Sequence, residues 1–199
     1  MTGTGHRIGV VAVQGNVREH VAAIERAAPD GVTVVEIRES GVVPDCDALV
    51  LPGGESTTIS RLLRTEGIDA EIVAHADAGK PILATCAGLI VASRDARDDR
   101  VETLDLVDAV VDRNAFGRQV DSFEAPLDVA GLDDPFHAVF IRAPAVDEVA
   151  PDVDVVATWE DRPVAVRDGS ITATSFHPEL TDDARIHRLA LFDRLPATA

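Results

Sequence analysis

Short runs of valine, isoleucine and leucine alternate with stretches of helical periodicity through the first half of the chain, and this alternation restricts its fold more than any other feature. A run such as Ala48-Leu49-Val50-Leu51 has no polar face, so a strand built from it must be covered on both sides. Repeated strand-helix units meet that demand with a parallel sheet layered between helices. The reading places strands at Ile8 to Val13, Val32 to Ile37, Ala48 to Leu51 and Pro81 to Ala84, with helices over Val17 to Ala28, Ile59 to Glu66 and Ile68 to Ala78. Val17, Val21, Ile24 and Ala28 supply the apolar stripe of the first helix. From Val107 onward the pattern changes to short, often alternating strands: 107–111, 120–127, 138–141, 153–158, 163–166 and 171–175. Arg167-Asp168-Gly169-Ser170 reads as a hairpin turn. A closing helix is expected over Asp182 to Leu195, a frayed tail over Pro196 to Ala199, and a solvated loop over Asp95 to Glu102. The fold class is α/β and doubly wound, a mostly parallel central sheet with helices on both faces and added antiparallel strands in the second half. One domain is expected over residues 1–199, a length that buries a sizeable core without staples.

Composition narrows the function. Against 35 acidic residues there are 18 basic ones, a formal net charge of -17, which opposes binding to nucleic acid or an anionic membrane. Lys80 is the only lysine and the acids are mostly aspartate, the surface expected of a halophile, where hydrated carboxylates maintain solubility and salt screens their repulsion. No apolar run reaches the roughly 18 residues of a membrane span, and the segment before Ile8 lacks the layout of a secretory signal. A cytoplasmic protein is expected. The two cysteines, Cys46 and Cys86, do not make a disulfide framework. Cys46, just before a buried strand, reads as a packed thiol.

Cys86 differs because it follows an apolar strand and precedes Ala87-Gly88 and a helix expected from near Leu89. The chain must turn sharply there, presenting the thiol at a helix start where the dipole favours thiolate and backbone N–H groups can hold an oxyanion. By itself this fits either a nucleophile or a packed thiol. A base would decide, and His177 in Ser175-Phe176-His177-Pro178-Glu179 is the candidate. If that segment is extended, residues two apart face the same way, so Glu179 can orient the imidazole while its other nitrogen faces the thiol. The loop 53–58, Gly-Gly-Glu-Ser-Thr-Thr, offers backbone donors and a helix start capped by Ser56 or Thr57. It has neither a Walker lysine nor a Gly-x-Gly-x-x-Gly pattern, and as a bare turn it would be unremarkable.

A Pro-Gly-Gly loop, a cysteine turn and a late His-Pro-Glu, in this order, resemble the triad (class I) glutamine amidotransferases, whose domain is flavodoxin-like. The blocks 12–20, 53–58, 85–89, 113–124, 140–144 and 175–180 are similar to the glutaminase subunits of pyridoxal 5′-phosphate synthase, and they span nearly the whole chain. Carried over, the resemblance implies Cys86 as nucleophile, His177 as general base and acid, and Glu179 as the residue orienting it. It implies glutamine contacts from Gly54, Glu55, Ser56, Arg113, Ile141 and Arg142. An arginine there would take the α-carboxylate, and Glu55 would face the α-ammonium. Gln14, Gly15, Gly53 and Ala87 are implied in the oxyanion hole and its activation.

The same resemblance implies no cofactor and no metal. It implies a partner, the barrel-shaped synthase subunit, in a large hetero-oligomer that receives ammonia and activates the glutaminase. Two departures stand out: Ala115 occupies a position where a small polar residue is expected, and the surface is unusually acidic. A glutaminase for another acceptor, such as an imidazole glycerol phosphate synthase, and a catalytically silent partner-binding domain are the alternative readings.

Overall fold

The computed structural model describes residues 5–113 and 122–196. Its centre is a seven-stranded sheet. Strands β1 (Arg7–Val11), β2 (Thr33–Ile37), β3 (Ala48–Leu51), β4 (Ile82–Thr85), β10 (Asp154–Trp159), β11 (Arg162–Asp168) and β12 (Ile171–Thr174) lie in the order β10-β11-β12-β4-β3-β1-β2. The five strands from β12 to β2 are parallel, and β11 and β10 add antiparallel at one edge. A two-residue turn at Gly169-Ser170 joins β11 to β12; the hairpin is present as expected, but Arg167 and Asp168, read as part of the turn, pair in the strand with Thr172 and Ile171.

The all-apolar strands serve two cores at once. Leu49 and Leu51 of β3 join Ile82 and Ala84 of β4 in one core, while Ala48, Val50 and Leu83 point into the other, the period-two alternation of a strand buried on both faces. Helices α2 (Ser56–Thr65), α3 (Asp69–Asp77) and α4 (Ala87–Ala92) cover the first core through Ile59, Leu63, Ile72 and Leu89. Helices α1 (Val17–Ala27) and α5 (Arg185–Ala190) cover the second through Ile24, Ile186 and Ala190. The sheet is thus doubly wound, as expected.

Two smaller sheets complete the layers. Strands β5 (Ser93–Asp95), β6 (Val107–Asp112) and β9 (Ala145–Val149) lie over the α4 face. The hairpin β7 (Ser122–Leu127) and β8 (Phe136–Ile141) packs Phe136 and Phe140 on the opposite core. The sequence reading missed β5 and β9: three residues are too few to show periodicity, and Ala145–Val149 ends in exposed Asp147 and Glu148. Only part of the expected 95–102 loop is solvated, because Ala96 and Val101 turn inward. The closing helix is also shorter than expected, six residues followed by a 3₁₀ turn at Phe192–Arg194. Asp182 and Asp183 precede it, with the Asp183 carboxylate accepting from the Arg185 N–H. Residues 120–121, the start of one expected strand, and 197–199, most of the expected tail, fall outside the described residues.

Candidate active site

After β1 and β2 the chain returns to the other side of β1 to lay down β3, then β4 and β12 beyond it. Where strand order reverses in this way, a crevice opens at the carboxyl ends of the strands. Gln14, Gly53, Cys86 and His177 all follow those ends.

Cys86 leaves β4 with φ 49 and ψ -106, a left-handed conformation that L residues adopt only when their surroundings enforce it. Its N–H donates to the Thr174 carbonyl at 2.8 Å and its carbonyl accepts from Ile90 N–H at 3.2 Å, which fixes both ends of the turn. Gly88 lets α4 begin tight against β3, since a Cβ there would sit 2.1 Å from the Leu51 oxygen. The result is a sharp strand-to-helix elbow with a thiol that is 7% exposed.

His177 is held from the other side by donation of its N–H to Val139 O at 2.8 Å. The segment after it is not extended, contrary to the sequence reading. Pro178–Leu180 is a 3₁₀ turn, and Pro178, with its fixed φ, suits the first position of such a turn. That tighter path still brings Glu179 Oε1 to 2.7 Å from His177 Nδ1. Asn16 Nδ2 donates to the same oxygen at 3.0 Å. Burial opposes a charge on His177, but the neighbouring Cys86 and the Glu179 carboxylate outweigh it and raise the imidazole to about 10. Burial also opposes ionisation of Glu179, and the hydrogen bond from His177 together with the charges around it brings that carboxyl down to about 2. Among the described residues Nε2 of His177 closes no hydrogen bond. Gly53 presses on both groups: a Cβ there would meet His177 Cε1 at 2.6 Å and Cys86 Cβ at 3.3 Å.

Above this floor is a cleft of about 450 Å³, within the range of small-molecule sites. Gly54, Glu55, Ser56, Arg113, Ile141 and Arg142, the six residues expected to contact substrate, all line it, as do Gln14 and Ala87. Glu55, rather than Ser56 or Thr57, caps α2, its carboxylate accepting from Thr57 N–H at 3.3 Å and Thr58 N–H at 2.8 Å. An ionised group is favoured at a helix N-terminus, and despite some desolvation the Thr57 and Thr58 donors lower its pKa to about 2. Ser56 Oγ is buried without a partner among the described residues. Arg113 bridges Glu55 at 3.2 Å and Asp98 at 2.8 Å, its side chain 20% exposed. Arg142 is exposed and has φ 42. Neither arginine is fully buried.

The Gly53 N–H already donates to Thr85 Oγ1 at 3.1 Å. Ala87 N–H, at the first position of α4, belongs to the donors a helix leaves unbonded. Gln14 Oε1 accepts from Glu55 N–H at 2.8 Å, and Gly15 lies against the Gly53 carbonyl, 1.9 Å from where a Cβ would be. Arg113 opens the 113–124 block, and residues 114–121 of it fall outside the described residues. Among the described residues no group of three or more His, Cys, Asp or Glu could hold a metal ion, and no helix is long and apolar enough to cross a membrane.

The sequence reading gave no role to Asn16, which lines the cleft, or to His20, Thr85 and His187, which are joined by hydrogen bonds through His20. One signal was available: Asn16 occupies the N-cap of α1, where asparagine usually caps, yet its side chain makes no capping bond and turns to Glu179 instead.

An α/β sheet with a cysteine elbow, a glycine loop and a His-Glu pair around one cleft is the architecture of a glutamine amidotransferase of class I. The model described as the SNO glutamine amidotransferase family matches residues 10–193, and the chain belongs to that family. It is 70% identical over 187 residues to the pyridoxal 5′-phosphate synthase subunit PdxT of Haloquadratum walsbyi, covering 92% of this chain and 91% of that one. It is also 70% identical over 192 residues to the subunit of the same name from Halobacterium salinarum, covering 95% of each. A crystal structure of a glutamine amidotransferase superposes with a TM-score of 0.87 at 43% identity, covering 94% of this chain and 98% of that chain.

Proposed function

We propose that this chain is the glutaminase subunit of a pyridoxal 5′-phosphate synthase, hydrolysing L-glutamine with Cys86 as nucleophile, His177 as base and acid, and Glu179 as its orienting carboxylate. The reading rests above all on one observation, the 2.7 Å His177–Glu179 pair converging with the Cys86 elbow on a single cleft. The thiolate attacks the side-chain amide carbon and the oxyanion is met by backbone donors near Ala87 and the 53–54 loop. His177 then protonates the departing ammonia. Water deprotonated by the same imidazole attacks the γ-glutamyl thioester, releasing glutamate and regenerating the thiol. Arg113 and Arg142 take the α-carboxylate, with Ser56 and Ile141 beside the substrate chain. For Arg113 this requires sharing or exchanging its bonds to Glu55 and Asp98.

Ammonia passes to a separate barrel-shaped synthase subunit within a large hetero-oligomer, a reading supported by the word subunit in the names of the relatives. The whole of residues 1–199 acts as one amidotransferase domain in the cytoplasm, where reducing conditions preserve the thiol. The net charge of -17 and the halophilic sources of the relatives support work at high salt. The test is glutamate release in high-salt buffer by the protein alone, with the synthase subunit of the same organism, and with Cys86→Ala in that mixture. Release that needs both the partner and Cys86 is expected; strong Cys86-dependent release indifferent to the synthase would assign another acceptor.

A further inference from the structure

Two histidines that the mechanism does not use lie fully buried beneath Glu179. His20, on α1, has its Nε2 in hydrogen-bond contact with Thr85 Oγ1 at 3.1 Å and 3.4 Å from Glu179 Oε2, an oxygen that accepts no hydrogen bond among the described residues. Its Nδ1 lies 2.9 Å from Nε2 of His187, on α5. Both histidines are 0% exposed, and His187 Nδ1 has no partner among the described residues.

The proton positions follow in order from the carboxylate. An ionised carboxylate only accepts, so the nitrogens facing Glu179 must donate: Nδ1–H of His177 to Oε1, and Nε2–H of His20 toward Oε2. A neutral His20 then has only a lone pair at Nδ1, so Nε2 of His187 must carry the proton they share. A neutral His187 is left with a bare lone pair at Nδ1, the atom found without a partner. The opposite assignment would bury an unpaired N–H at His187, at the cost of its desolvation, and would set the His20 lone pair against the Glu179 carboxylate at 3.4 Å.

We infer that His187 and His20 form a one-way chain of neutral donors that ends on Thr85 Oγ1, with its last N–H facing the second oxygen of Glu179, which makes them positioning residues for the candidate triad. Burial disfavours charge on both rings, lowering His20 to about 4 and His187 to about 3, consistent with neutrality. The chain fixes the carboxylate in the rotation that keeps a proton on His177 Nδ1 and leaves Nε2 for the thiol. Through Thr85 Oγ1, which accepts from Gly53 N–H, His20 also touches the anchor of the substrate loop. The inference rests on the glutaminase reading for its consequence and on hydrogen-bond geometry for its content.

Two measurements on the full chain in high salt test it. In protein labelled with ¹⁵N-histidine, long-range nitrogen–proton spectra are expected to show both His20 and His187 as Nε2–H tautomers; a proton on Nδ1 of His20 overturns the chain. The second measurement is the rate at which 6-diazo-5-oxo-L-norleucine alkylates Cys86, with the synthase subunit added if the wild type needs it. His187→Leu, which cannot donate, is expected to slow maximal alkylation at least tenfold at an unchanged half-saturating concentration. His187→Gln, which keeps a donor at similar reach, is expected to restore the rate to within about threefold. A folded His187→Leu protein alkylated at the wild-type rate overturns the positioning role, as does His187→Gln failing like leucine while folded. If the wild type itself does not react at Cys86, the glutaminase reading fails instead, and the nitrogen spectra still decide the chain.

Discussion

The floor of the site and its rim are built differently. On the floor, His177 and Glu179 are each 4% exposed and His20 and His187 are wholly buried. These groups, with Cys86, sit at the ends of β4 and β12 or on α1 and α5, and their bonds run to one another. On the rim, Gly54, Glu55 and Arg142 are exposed, and Arg113 is held by ion pairs to other loop residues. The difference separates two tasks. Proton transfer requires a few tenths of an ångström of precision, which rigid, packed elements provide. Substrate entry requires surfaces that open and re-pair, which loops provide.

Floor substitutions should therefore reduce turnover and rim substitutions affinity. The largest effect is expected from Cys86→Ala, which removes the only proposed nucleophile: glutamate release should fall to the solution background, a loss of at least about 10⁴-fold. Glu179→Gln comes next. An amide can offer His177 an N–H where the carboxylate accepted one, favouring the wrong tautomer, and kcat should drop about 10²–10⁴-fold with KM within a few-fold. A rim change, Arg113→Met, should instead raise KM for glutamine about 10- to 100-fold by removing a charge-assisted contact to the carboxylate. Steady-state glutamate release resolves all three. A large kcat loss in Arg113→Met with unchanged KM would erase the division between floor and rim.

Stability should follow the floor too. His20 and His187 are held below their ordinary 6.5 and Glu179 below 4.5, so the unfolded chain takes up protons first as pH falls. Their contribution is complete above about pH 6.5 and is lost on acidification, through about 4 and 3 for the histidines and about 2 for the carboxylate. His177, raised to about 10, acts oppositely: its contribution is complete below 6.5 and is lost as pH rises toward 10. A tenfold difference in proton affinity between the folded and unfolded chain corresponds to about 1.4 kcal/mol, so unfolding free energy should decline by on the order of a few kcal/mol between pH 6.5 and 4. Denaturant titrations at fixed high salt measure it, and a His187→Leu protein with an undiminished acid slope would show that His187 is not among its sources.

The same division explains what could be read from sequence. The parallel core was legible because the runs 48–51 and 81–84 have no polar side chain and only one kind of environment accepts them. The positions of Cys86 and His177 at strand ends were legible from the strands before them, whereas the roles expected of Cys86, His177 and Glu179 came from the family resemblance. The His-Pro-Glu geometry was reached from a wrong premise, since a 3₁₀ turn rather than an extended segment unites the pair. His187 was not legible at all: it is brought to His20 across 167 residues by the packing of α5 on α1, and a lone histidine in a helix carries no local mark of that. The capping error at Glu55 has the same origin, because Ser56 and Thr57 are the better caps by propensity and only the position of the turn decides.

The smallest effect is expected farthest from the floor. Arg97 pairs with Asp147 at 2.7 Å and Glu148 at 2.8 Å, linking the turn after β5 to β9, and its side chain is 47% exposed. Water screens such pairs and ordering the long arginine side chain opposes them, so Arg97→Ala should cost only about 0–1 kcal/mol in low salt. In molar salt, with a Debye length of about 3 Å, the cost should approach zero. The substitution also makes the formal charge of -17 one charge more negative, which matters only when the remaining carboxylates repel one another unscreened. Thermal melts of wild type and Arg97→Ala across a salt series separate these contributions. If both melting curves rise steeply with salt and stay nearly superimposed, collective repulsion sets the salt requirement and the ion pair is incidental. If the variant falls well below the wild type even in molar salt, the surface is held by specific pairs, and the contrast between a built floor and a loosely bonded exterior does not hold there.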